Sequence, residues 1–243
     1  MSFIIHRKPP YHVYAEEGQG GAMAHVAELP GCFSTGSNAS KAVAAMPRAI
    51  TGFLAWLRAH REPLVPEAHV ARPTVADLFI AEVHSEGAPT IAGSKSALFD
   101  FDKEPWDDEK LERTLRWLSY SRADLLAKIA NLTEAKIESR QLAPGRTLRQ
   151  TLWHIANAEY GYINRVAGPL GGRENITDTH PSNTIERLTA TREILQRHAR
   201  VIPQDRRADI IYPTWANRPG ESWTLQKALR RALEHELEHL AEI

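Results

Sequence analysis

The sequence predicts an α+β protein in two parts: a small β-β-α-β unit over residues 1–84 and an all-α four-helix bundle over 107–243, joined by a linker at 85–106. Three observations predict it. The 243 residues exceed the ~150 usual for one domain. Period-two alternation and glycine-proline punctuation dominate the first third of the chain. Beyond Trp106, capped stretches of helical period follow one another with no strand required between them.

Tyr11–Ala15 and Ala22–Glu28 read as two strands, joined across the glycine cluster Gly18 to Gly21. Leu29 to Gly36 punctuates the chain. Ser37 or Asn38 then caps a helix to about Arg61, with Ala42, Ala45, Ile50, Phe53, Leu54 and Leu57 apolar and Pro47 predicting a kink. Asp77–Val83 completes the unit as a strand. The Gly-, Pro- and Ser-containing run from Ser85 to Ser96 sets the linker. In the bundle, Asp107, Asp108 and Glu109 suit the positive end of a first helix over about 107–131. Thr147 and Gln150 have capping-box form for a second helix to about Val166, which Gly168, Pro169, Gly171 and Gly172 end. Asn183 and Glu186 open a third helix to about Val201, and Thr224 to Ile243 form a fourth.

Thirty Lys and Arg balance thirty Asp and Glu, which removes the usual electrostatic attraction to nucleic acid or an acidic membrane. The 42% apolar and 25% charged composition excludes disorder and fibrous architectures for the bulk of the chain. No apolar run approaches the ~18 residues of a membrane span, and the first ten residues do not have the form of a signal peptide. A single cysteine, Cys32, excludes an intrachain disulfide and fits a reducing cytoplasm; its place in a turn reads as packing rather than nucleophile.

The eleven histidines carry the chemical signal. On the fourth helix the apolar stripe is Leu225, Ala228, Leu229, Ala232, Leu240 and Ile243; Glu236 and His239 fall inside it and His235 lies at its edge. Four residues apart, His235 and His239 can bind one ion from adjacent turns. On the second helix Glu159 lies within the stripe and His154 near its margin. Glu159 and Glu236 can each be a solvated flank or half of an interhelical hydrogen-bonded pair, the reading preferred for Glu159, and Trp153, Tyr160, Trp215 and Trp223 read as core or pocket wall. His235-Glu-Leu-Glu-His239 also satisfies the H-E-x-x-H pattern of zinc peptidases, but only Glu242 follows it as a downstream ligand. A third ligand therefore comes from upstream, where His154 on the second helix competes with His180 and His198.

With Thr147 to Ala156, Trp223-Thr224 and Glu234 to Leu240, the segment from about Trp106 to Ile243 resembles the DinB/YfiT-like family of four-helix bundles. The resemblance implies that His154, His235 and His239 bind a divalent metal, Zn²⁺ or Ni²⁺. It further implies a metal-dependent transferase acting on a small-molecule substrate with a low-molecular-weight thiol as cosubstrate. By its place in the stripe, Glu236 is the best nearby proton acceptor or a residue that orients a ligating histidine. Tyr14, the hairpin, Glu28 to Gly36 and the alanine-rich helix resemble a HicB-like antitoxin domain over about residues 10–84. That likeness implies a protein partner rather than nucleic acid, since the bundle stands where such antitoxins carry a DNA-binding tail. The competing function is a non-catalytic metal-containing binding protein, and a homo-oligomer is compatible with either.

Overall fold

A computed structural model of the chain describes residues 10–63, 72–85, 95–142, 145–171, 183–215 and 220–243. The chain divides into two compact units, Met1–Phe99 and Asp100–Ile243. Among the described residues no helix is long and apolar enough to cross a membrane.

Among its described residues the first unit is a four-stranded sheet with one α-helix. Strands β1 (Tyr11–Gly18), β2 (Gly21–Val26) and β3 (Phe33–Gly36) precede helix α1 (Ala39–Ala59) and strand β4 (Leu78–His84). The sheet order is β3-β2-β1-β4, antiparallel except where β4 returns parallel to β1 after the helical crossover. The β1–β2 turn needs its glycine. Gly21 has φ +116°, and a Cβ there would stand 2.8 Å from the Gly36 carbonyl oxygen of the neighbouring strand. Tyr11, Val13 and Ala15 turn into the core against the Ala42, Val43, Met46, Ile50, Phe53 and Leu57 face of α1. Asn38 caps that helix, accepting the Lys41 N–H at 2.9 Å, and the helix continues unbroken through Pro47. It closes at Arg61, whose φ of 57° lets the Glu62 N–H reach the Leu57 carbonyl.

The structure corrects the β-β-α-β reading in one respect: Phe33–Gly36, expected as punctuation, is a third strand paired with β2 from Ala22↔Gly36 to His25↔Phe33. Cys32 is buried just before it. The expected linker is also more than a spacer in its described part. The Ala97 N–H donates to Glu16 at 2.7 Å within the first unit, while Phe99, Phe101, Asp102 and Trp106 are all buried.

The second unit is built on four long helices: α2 (Asp108–Ile129), α4 (Leu148–Ala167), α5 (Thr184–Val201) and α6 (Leu225–Glu242). Each opens on a residue whose side chain caps its own first turn, as the sequence expects of Thr147 and Asn183. Asp107 accepts from the Lys110 N–H, Thr147 exchanges bonds with Gln150, Asn183 accepts from Ile185 and Glu186, and Thr224 accepts from Lys227. Between α2 and α4 lie two unanticipated elements, a short helix α3 (Glu134–Ser139) and a two-residue ribbon of β5 (Gln141–Leu142) and β6 (Arg146–Thr147). Leu125, Ile129, Ile137, Leu142, Leu148, Leu152, Ile155 and Leu188 form one apolar core beneath them.

A ring of charge ties the four helices together. Arg122 on α2 donates to Glu159 on α4 at 2.7 Å and to Glu236 on α6 at 2.5 Å, and Arg192 on α5 donates to the same two carboxylates. All four side chains are buried. Ser121 and Thr191 add hydroxyl bonds, and the guanidinium groups reach the Leu118 and Leu188 carbonyls as well. With two cations and two anions the ring is neutral, and each member is satisfied on several sides. Of the two readings open for Glu159, the structure selects the interhelical pair.

Candidate metal centre

His154 projects from α4, and His235 and His239 project from adjacent turns of α6. The Nε2 atoms of His154 and His235 are 3.0 Å apart, and those of His235 and His239 3.2 Å. All three ligating atoms lie within 4.8 Å of one another. Four ligands at zinc–nitrogen bond lengths of ~2.0–2.1 Å would stand ~3.3 Å apart around a tetrahedron, so the cluster fits one small divalent ion closely. The donor set fits as well. Three ring nitrogens facing one point cannot all be satisfied by protons passed among themselves, because each neutral ring offers one donor and one lone pair.

The surroundings favour neutral rings with lone pairs free. Burial lowers the pKa of His154 to about 4, aided by the charges of Arg146 and His239. Burial likewise holds His235 well below its ordinary value, with His239 and His154 contributing next. The His239 ring is oriented from behind, its Nδ1 lying 2.7 Å from a Glu242 carboxylate oxygen. An Nδ1–H donated there leaves Nε2 as the acceptor turned toward its two neighbours. Glu242, considered from sequence as a downstream ligand, therefore stands behind a histidine. Replacing it with alanine is expected to lower divalent-metal affinity by about 10- to 100-fold while leaving the fold intact, as chelator competition would measure.

The structure places Glu236, expected as a proton acceptor, in the charge ring. Both of its oxygens accept bonds within the ring, Oε1 from Arg122 and Oε2 from Arg192 and Ser121. Burial alone would raise its pKa, but the charges of Arg192 and Arg122 and the bonds from Ser121 and Arg122 hold it below the ordinary carboxylate value. Its position inside the apolar stripe brings it to Arg122 and Arg192 in the bundle interior. His198 lies on α5 outside the three-histidine cluster, and His180 falls outside the described residues.

The aromatic expectations divide. Trp223 is buried, stacked on Tyr162 at 5.4 Å, and Tyr162 in turn meets the His235 ring edge-on at 6.2 Å. Tyr160 is buried as expected. Trp215 is instead 42% exposed, its Nε1 donating to the Asn164 carbonyl at 3.0 Å. Trp153 holds the guanidinium groups of Arg149 and Arg187 against its ring at 5.1 and 4.7 Å. It lines a cavity of about 500 Å³ that includes His154, Arg146, Arg149, Asn157 and Glu138. Sequence reasoning missed Arg146, Tyr162 and the orienting role of Glu242. Only Glu242 left a trace there, three residues beyond His239 and thus on the same helix face.

None of the curated proteins compared with the chain matches it. The family profile of the DinB superfamily does, over residues 117–243, a span that runs from within α2 to the end of α6 and holds all three clustered histidines. That span is more than half of the sequence, and the chain belongs to the DinB superfamily.

Proposed function

We propose that the helical unit is a divalent-metal-dependent enzyme of the thiol-transferase type, with His154, His235 and His239 holding Zn²⁺ or Ni²⁺. The observation that carries this reading is the convergence of three Nε2 atoms at 3.0 and 3.2 Å, the His239 ring being turned by Glu242. Neutral imidazole suits both ions, and three protein ligands leave a coordination position for substrate. When bound, the ion supplies Lewis acidity that lowers the pKa of a thiol or water reaching it.

The protein's own contribution is orientation and charge. Burial keeps His154 and His235 neutral at physiological pH, and Glu242 fixes the His239 tautomer. The charge ring of Arg122, Glu159, Arg192 and Glu236 holds α4 and α6, the two helices that carry the histidines, in fixed relation. The test is metal analysis of the purified chain, followed by an assay for conjugation of low-molecular-weight thiols to small electrophiles. The expected result is near-stoichiometric metal and a conjugation rate that chelation abolishes.

A second reading keeps the metal structural and gives the first unit, read as HicB-like, the docking of a protein partner. One observation favours it: Phe79, Ile80 and Val83 on β4, the outermost strand on its side of the sheet, are each at least half exposed. Metal-loaded protein that conjugates no thiol would favour this reading over the first.

A further inference from the structure

The cavity beside His154 carries a cation the metal reading does not use. Arg146 sits half-buried on β6, directly before the Thr147 cap of α4, and lines the cavity together with Arg149, Trp153, Asn157 and Glu138. Arg149 is already committed, paired with Glu134 and Glu138 and laid against Trp153. Arg187 is held by Asn157 and lies against the same ring. Arg146, by contrast, makes no side-chain hydrogen bond or ion pair among the described residues. Its charge nevertheless acts on both His154 and His235, behind burial as the leading cause.

The net charge of this region calls for an anion. Arg146, Arg149 and Arg187 match Glu134, Glu138 and Glu242 in number, so a divalent ion on three neutral ring nitrogens leaves the region net positive. Arg146 then stands as a guanidinium without a carboxylate partner among the described residues, in the same cavity as His154, where its fork of donors matches a carboxylate. A cavity of about 500 Å³ is the right size for a small organic ligand. A single guanidinium in a lining that also holds Glu138 suits a monoanionic carboxylate better than a phosphate dianion, which would meet the glutamate with too few donors.

We propose that this cavity takes a small carboxylate-bearing substrate, whose acid group pairs with Arg146 while its reactive end reaches the three-histidine cluster. The assignment deepens the metal-enzyme reading and rests on it. Arg146 is a binding and specificity residue, anchored by the β5–β6 ribbon: the Gly145 turn at φ +85° and the Leu148 N–H bond to the Arg140 carbonyl fix where β6 enters α4.

The test uses the full chain loaded with Zn²⁺ and two thiols of equal length, 3-mercaptopropionate and 3-mercapto-1-propanol, titrated by calorimetry. The expected result is a preference of about tenfold or more for the carboxylate compound, the order of one charge-assisted hydrogen-bonded pair. Arg146→Gln removes that preference without changing Zn²⁺ content, and Arg146→Lys restores part of it. Equal affinity for the two thiols in Zn²⁺-loaded wild type overturns the Arg146 assignment alone, as does a preference that survives in Arg146→Gln. Failure of the wild type to hold Zn²⁺ overturns the metal reading and this proposal with it, and metal content tells the two failures apart.

Discussion

Replacing Glu236 with alanine is expected to destabilise the helical unit by about 3–5 kcal/mol. The carboxylate sits between Arg122 and Arg192, and all three groups are buried. Removing it leaves two guanidinium groups sharing Glu159 and a net positive charge in the bundle interior. Desolvation of those cations was offset by four ion pairs, and two of the four are lost together. Urea denaturation followed by circular dichroism would measure the change. A loss below about 1 kcal/mol would mean that the ring relaxes onto water and does not hold the helices. The same argument limits what the ring contributes. Replacing all four members by well-packed apolar residues is expected to cost far less than removing one, since the large penalty belongs to a charge left without its partner.

The ring also sets a pH dependence with a definite sign. The Glu236 pKa is held below 4.5 in the folded chain, so the folded state binds its proton less readily than the unfolded chain does. The resulting stability is fully present above pH ~4.5 and is lost as pH falls through the lowered folded value. Denaturation midpoints measured between pH 7 and pH 3 should fall in that acidic window for the wild type. Glu236→Gln, with no proton to take up, should show a flatter profile there. An unchanged slope in the glutamine variant would assign the acid transition to other carboxylates.

The helices of the second unit were legible because their ends are local. Asp107, Thr147, Asn183 and Thr224 each bond to an N–H two or three residues onward, and a short window of sequence contains both partners. Strand β3 was not legible, because Phe33–Gly36 becomes a strand only through pairing with β2, and its Ser, Thr and Gly residues carry the composition of a turn. The clustered histidines were half legible. The i,i+4 spacing of His235 and His239 is a helical fact, whereas His154 lay at a stripe margin from which periodicity alone does not bring it inward. The charge ring was hidden for the opposite reason. Glu236 sat inside an apolar stripe, and the partners that explain it, Arg122 and Arg192, lie 114 and 44 residues away in sequence. A reading of one helix at a time sees such a glutamate without the ion pairs that hold it. Arg146 escaped for want of a pattern, since a lone arginine before a helix cap is ordinary until a cavity and a histidine are found beside it.

Replacing His235 with glutamine is expected to lower Zn²⁺ affinity by about 100-fold or more, exceeding the loss at Glu242, because it deletes a ligand instead of the group orienting one. His235 is the middle member of the cluster, its Nε2 at 3.0 Å from that of His154 and 3.2 Å from that of His239. Without it the remaining pair comes from different helices and no longer closes three sides of one ion. His154→Gln should follow closely, while His198→Gln, on α5 outside the cluster, should bind metal as the wild type does. Because the metal binds the folded chain, the loss has a second readout that requires no activity. Zn²⁺ at about 100 times its dissociation constant should stabilise the wild type by about 2.7 kcal/mol, and should leave the unfolding midpoint of His235→Gln nearly unmoved. Chelator competition and thermal unfolding with and without Zn²⁺ measure the two effects separately. If His235→Gln keeps full occupancy and the full Zn²⁺-dependent shift, the three rings are a hydrogen-bonded core cluster and the ion, if any, is held elsewhere.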